Sequence, residues 1–106
     1  IPLRMELIAE DALFEQAGAE FTYRDYTQQP LSADEIRAVL PKLGMSVKDV
    51  LRMRDAVKAG FRGDEPDDVL IEAMAQHPRM LQRPIAILGD RAELGRPVEN
   101  LARLLT

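Results

Sequence analysis

The sequence contains no cysteine. That absence excludes a disulfide, a thiolate zinc site and any thiol chemistry run by these residues. No apolar run approaches the roughly 18 residues of a membrane span, and no signal peptide is visible, so the expected compartment is the cytoplasm, with no membrane partner. The chain also lacks an excess of positive charge. Its net charge of −4 argues against general nucleic-acid binding. Gly18, Gly44, Gly60, Gly63, Gly89 and Gly95 show no phosphate-loop spacing. Asp64, Glu65, Asp67 and Asp68 cluster without calcium-loop spacing and read as a solvated helix start. Met45, Met53, Met74 and Met80 are scattered as core fillers, so no metal site is expected. There is no repeat and no low-complexity segment.

What remains is one globular domain over residues 1–106, with 46% hydrophobic and 30% charged residues and one modest core. Arginine supplies 11 of the 14 basic residues. Guanidinium groups offer planar paired donors, so this bias suits bidentate oxyanion or carboxylate contacts; a GC-rich genome produces the same bias without chemistry.

Along the chain, Ile1, Leu3, Met5 and Leu7 alternate as in a strand, while Leu3, Leu7 and Phe14 fit one helical face. Asp11–Ala17 reads as helical, stopped by Gly18. Glu20–Tyr26 has the β-branched and aromatic content of a strand, with Tyr23 and Tyr26 as packing residues. Ser32 with Glu35 forms a capping box opening a helix through Ile36, Val39 and Leu40, with a kink or early end expected at Pro41. Ser46 with Asp49 opens a short helix over Val47, Val50 and Leu51. Residues 54–66 read as a charged mobile loop with one ambiguous helical turn, and a helix follows over Val69, Leu70, Ala73 and Met74. Val98–Leu105 is expected as a final helix burying Leu101, Leu104 and Leu105.

The organising stretch is Gln76–Ile87. Pro84 lacks an N–H and restricts Arg83 to extended backbone, so a helix cannot run through it; the Arg83-Pro84 bond is also one that can be held cis for about 0.5–1 kcal/mol. Ile85–Leu88, Gly89-Asp90 and Arg91–Leu94 read as a hairpin. Arg83 and Arg96 each precede a proline at the end of an element, which aims their guanidinium forks. His77 before Pro78 reads as a helix cap or, less simply, as a general base.

Gly44-Met45-Ser46-Val47 with Leu51-Arg52, then His77-Pro78-X-X-X-X-Arg83-Pro84-Ile85, then Gly95-Arg96-Pro97, resemble the glutaredoxin-dependent arsenate reductases. The likeness runs from about Ala12 onward. It implies an α/β, thioredoxin-like (glutaredoxin-like) mixed sheet with a helical insertion over about residues 32–76. It also implies an oxyanion site on Arg52, Arg83 and Arg96, and a structural cis-proline at Pro84. The family uses a cysteine after its first strand to attack arsenate, and glutathione with glutaredoxin as electron donor, with no bound cofactor. Here a gap-free alignment puts Pro2 on the loop proline and Arg4 in the nucleophile's place, so no catalytic residue is assigned. In that alignment the first strand is missing. The alternatives are that Leu3–Ile8 is that strand or that a partner chain donates it, giving a dimer. A sheet without it would orphan two rows of backbone groups, each costing about 1–3 kcal/mol.

Taken singly, Arg52 fits a solvated helix residue and Arg83 a structural arginine bonded to carbonyls; the resemblance is what joins them to Arg96 as one set. The expected function is therefore that of an arsenate-reductase-family protein retaining the oxyanion arginines, with arsenate or a similar oxyanion and glutaredoxin as partners. The rival is a non-catalytic Spx-like interaction module, a branch in which Gly95-Arg96-Pro97 is not expected.

Overall fold

The computed structural model describes residues 5–9, 21–96 and 98–105. Four strands, β1 (Met5–Ala9), β2 (Phe21–Asp25), β3 (Ile85–Leu88) and β4 (Arg91–Leu94), form one sheet in the order β2-β1-β3-β4. β1 runs parallel to β2 and antiparallel to β3, which runs antiparallel to β4. The reading with a missing first strand is thereby corrected: β1 lies inside this chain and pairs on both sides, so no donated strand is needed. The alternation ends at Leu7, and Leu7, Ile8 and Ala9 are all buried because the sheet is packed on both faces. The expected helix over Asp11–Ala17 and the placement of Arg4 lie outside the described residues.

Alternate residues of each strand point to opposite faces. Ile8, Ile85, Ala92 and Leu94 pack toward one core with Tyr26, Ile36, Leu70, Met74 and Met80. Leu7, Ala9 and Ala86 pack the other way, against Leu104 with Leu101 and Tyr23 alongside. The final helix, Val98–Leu105, is a 3₁₀ helix covering that second face; Leu104 is buried, Leu101 is half-buried, and the Leu105 side chain lies outside what is described.

Between β2 and β3 stand α1 (Ala33–Leu43), α2 (Val47–Val50), α3 (Met53–Lys58) and α4 (Asp67–Gln76). α1 opens on the expected capping box: Glu35 N–H donates to Ser32 Oγ at 3.2 Å, and Ser32 N–H donates to Glu35 Oε1 at 3.0 Å. The helix does not stop at Pro41. Proline this close to the end removes one carbonyl's partner and no more, and the stop comes at Gly44, whose φ of +67° belongs to the left-handed region and whose N–H donates to Leu40 and Pro41 carbonyls. α3 corrects the loop expected from residue 54. The run looks charged, but Ala56 is fully buried and docks the helix, while Met53, Arg54, Val57 and Lys58 are exposed.

Arg24 ties the sheet to the helices. Its Nη1 and Nη2 donate to Glu35 Oε2 and Oε1 at 2.6 and 3.0 Å, while Nε and Nη2 donate to the Gln29 and Pro30 carbonyls, each at 2.8 Å. This bidentate pairing, with Ser32's N–H, holds the Glu35 carboxyl down to about 2.

Candidate functional site

Two backbone straps assemble the site. In the first, the end of α2 runs beside the segment leaving the 3₁₀ turn Pro78–Met80. Leu51 and Leu81 form an antiparallel bridge, Arg52 N–H donates to Met80 carbonyl at 2.6 Å, and Gln82 N–H donates to Val50 carbonyl at 2.8 Å. In the second, Gly95 N–H donates to Pro84 carbonyl at 2.8 Å, next to a cis Arg83–Pro84 peptide bond. A Cβ at position 95 would lie 2.8 Å from Pro84 Cγ and 3.1 Å from Leu101 Cγ, so only glycine permits this approach. Residues 52, 83 and 96, far apart in sequence, thus leave neighbouring pieces of backbone.

Their side chains differ. Arg83 is the buried one, at 6% exposure. Its Nη1 donates to the Arg79 carbonyl at 2.8 Å and the Leu81 carbonyl at 3.1 Å, and its guanidinium lies 4.7 Å from the centroid of the Tyr26 ring. The ring's negative face and the two carbonyls compensate a charge that burial would otherwise penalise. Arg96 is exposed, and its Nε donates to Arg83 carbonyl at 3.0 Å. Arg52 starts α3, and its Nε lies 3.2 Å from Asp55 Oδ2, one turn along. Among the described residues no hydrogen bond or ion pair joins the Arg52 side chain to Arg83 or Arg96.

Beside this framework lies an open groove of about 610 Å³, bordered by Tyr26, Asp55, Lys58, His77 and Arg79, among others. Its size suits a small ligand. It meets the arginines twice, through the carboxylate paired with Arg52 and through the ring beneath Arg83. His77 ends α4, its N–H donating to Ala73 carbonyl at 2.7 Å, and its ring meets Phe61 edge-on at 6.3 Å. The contacts of Asp55 with Arg52 and of Tyr26 with Arg83 are what sequence reasoning missed. For Tyr26 the signal was a large aromatic just past a strand; for Asp55, a carboxylate three residues after an arginine at a helix start.

A family model described as the ArsC family matches residues 10–104. The chain is 32% identical over 98 residues to an arsenate reductase of Neisseria meningitidis serogroup A, covering 89% of this chain and 84% of that one. It is 38% identical over 101 residues to a protein of the glnII region of Streptomyces viridochromogenes, covering 89% and 85%. Among solved structures, an arsenate reductase from Vibrio cholerae superposes with a TM-score of 0.80 at 23% identity over 97% of this chain and 98% of that one, a likeness of fold.

Proposed function

We propose a function from a plain premise: this chain belongs to the ArsC family. The proposal is that Arg52, Arg83 and Arg96 bind arsenate, or a tetrahedral oxyanion like it, for thiol-dependent reduction to arsenite. The observation that carries it is the pair of straps that brings these three residues onto adjoining backbone. A guanidinium stays protonated at any working pH, so three of them neutralise a dianion without a proton cost. Their parts follow from their surroundings. Arg83, fixed by carbonyls and an aromatic face, supplies a rigid charge; Arg52 and Arg96, nearer solvent, supply donors that close on the anion.

In the proposed reaction a thiolate attacks arsenic with loss of water, and glutathione and glutaredoxin thiols supply the two electrons, passing to disulfide as arsenite is released. The sequence has no cysteine, so the thiolate is not among these residues, and their part is to hold the oxyanion and offset its charge. The helices between β2 and β3 act as the family's insertion, and the setting is the cytoplasm; among the described residues no helix is long and apolar enough to cross a membrane.

Calorimetric titration with arsenate tests the proposal. Saturable one-to-one binding that falls at least about tenfold in Arg52→Ala and in Arg96→Ala supports it. Equal binding by wild type and both variants overturns it.

A further inference from the structure

Two of the three site arginines are held in the same way. Arg52 meets its partner through Nε, 3.2 Å from Asp55 Oδ2, and Arg96 through Nε, 3.0 Å from the Arg83 carbonyl. Among the described residues no hydrogen bond engages Nη1 or Nη2 of either one. The inner edge of each guanidinium is occupied and its outer fork is left for a ligand. For Arg96 a main-chain carbonyl does the holding; for Arg52 it is a carboxylate, and the helix starts show why that carboxylate is there. An acidic residue third in a helix ordinarily accepts the N–H of the residue that opens it. Glu35 does so for Ser32 in α1 and Asp49 for Ser46 in α2, each at 3.0 Å. Asp55 has the same place in α3, but there the Arg52 N–H is taken by the Met80 carbonyl at 2.6 Å. The strap that builds the site thus releases Asp55 from capping. Its Oδ2 is buried and has the Arg52 guanidinium as its only partner among the described residues.

We propose that Asp55 is the positioning residue for Arg52: it fixes the inner edge of the guanidinium so that the outer nitrogens are set for the oxyanion, and it does not itself touch the ligand. The inference rests on the reading of Arg52 as an anion ligand. The backbone of Arg52 is already pinned on both sides, its N–H by Met80 and its carbonyl by the Asp55 and Ala56 N–H groups at 3.1 and 3.0 Å. The freedom that remains is in the side-chain torsions, and the contact with Asp55 restricts these before any ligand arrives. Ordering one such side chain in advance is worth about threefold to tenfold in affinity. The carboxylate also repels an anion, and the two effects oppose each other. They separate in a pair of variants. Asp55→Ala and Asp55→Asn both remove the charge, so the repulsion is lost equally in each, but only Asn keeps an oxygen that can accept from Nε.

The test is calorimetric titration of the whole chain with arsenate, comparing these two variants. Asp55→Asn binds about threefold to tenfold tighter than Asp55→Ala. In an Arg52→Lys background, which keeps the positive charge but has no guanidinium to orient, the same two variants bind alike within about twofold. A merely structural role for Asp55 would leave the ratio the same in both backgrounds. Should Asp55→Ala not fold, as judged by circular dichroism, Asp55→Leu, with the shape of Asn and no acceptor, takes its place. If neither folds, or if Asp55→Asn does not, Asp55 is a structural residue and the inference is overturned. Equal binding by the Asn and Ala variants, or a ratio that persists with Arg52→Lys, also overturns it; loss of arsenate in Arg52→Ala would then leave the oxyanion site standing. A wild type that does not bind arsenate, or an Arg52→Ala that binds it as wild type does, overturns both.

Discussion

Arg96 Nε donates to the main-chain carbonyl of Arg83 across 3.0 Å, and the neighbouring Gly95 N–H donates to Pro84 carbonyl at 2.8 Å. The two arginines are therefore positioned as a unit. Anything that pushes residue 95 away from the proline moves the Arg96 side chain off its carbonyl. Gly95→Ala, whose methyl would meet Pro84 and Leu101, costs about 1–3 kcal/mol in denaturant unfolding and weakens arsenate binding as well.

Arg83 and Arg52 separate stability from binding. Truncating Arg83 strips the Arg79 and Leu81 carbonyls of a donor and uncovers the Tyr26 ring, so Arg83→Ala lowers unfolding stability by about 1–3 kcal/mol. Arg52→Ala removes one partly exposed ion pair and costs about 1 kcal/mol or less. Urea midpoints for the two variants check the difference in order.

The Arg24–Glu35 pair sets a pH dependence. The folded-state pKa of Glu35, about 2, lies below its ordinary value of 4.5, so the folded protein binds fewer protons than the unfolded chain between those values. The pair's stabilisation is complete above the ordinary carboxylate range and is lost as pH falls toward about 2. Glu35→Gln keeps the acceptor for Ser32 N–H but loses the charge. Because Glu35 is half-exposed, the loss near neutrality is about 1 kcal/mol or less, and the variant's unfolding midpoint falls less steeply with acid than that of wild type.

Gly44→Ala forces a Cβ into a left-handed conformation at φ +67° with no neighbour for the methyl to pack on. The expected loss is about 1 kcal/mol in thermal or denaturant unfolding, with anion binding unchanged.

How much of this was legible depended on whether the signal was local. The hairpin and the opening of α1 could be read because each is written within a few residues, as a two-residue turn between strand-like runs and as Ser32 with Glu35. α3 was read as no more than one ambiguous helical turn because one buried alanine, Ala56, outweighs the charges around it, and burial is decided by the rest of the fold. Glu35 was recognised as half of a capping box, but its second partner, Arg24, sits on a strand eleven residues earlier and left no pattern. At the site, Arg52, Arg83 and Arg96 came from motif resemblance. The reading of Arg83 as an arginine bonded to carbonyls matches its contacts with Arg79 and Leu81, but no rule of spacing shows that Tyr26 lies beneath it or that a carboxylate oxygen of Asp55 is shut away beside Arg52.

The most direct measurement of the central claim is a crystal of this protein grown with arsenate and examined for the anomalous signal of arsenic. The account predicts one arsenic position whose oxygens lie about 3 Å from guanidinium nitrogens of Arg52, Arg83 and Arg96 together. Arsenic held elsewhere, or by surface groups that include none of the three, would contradict it.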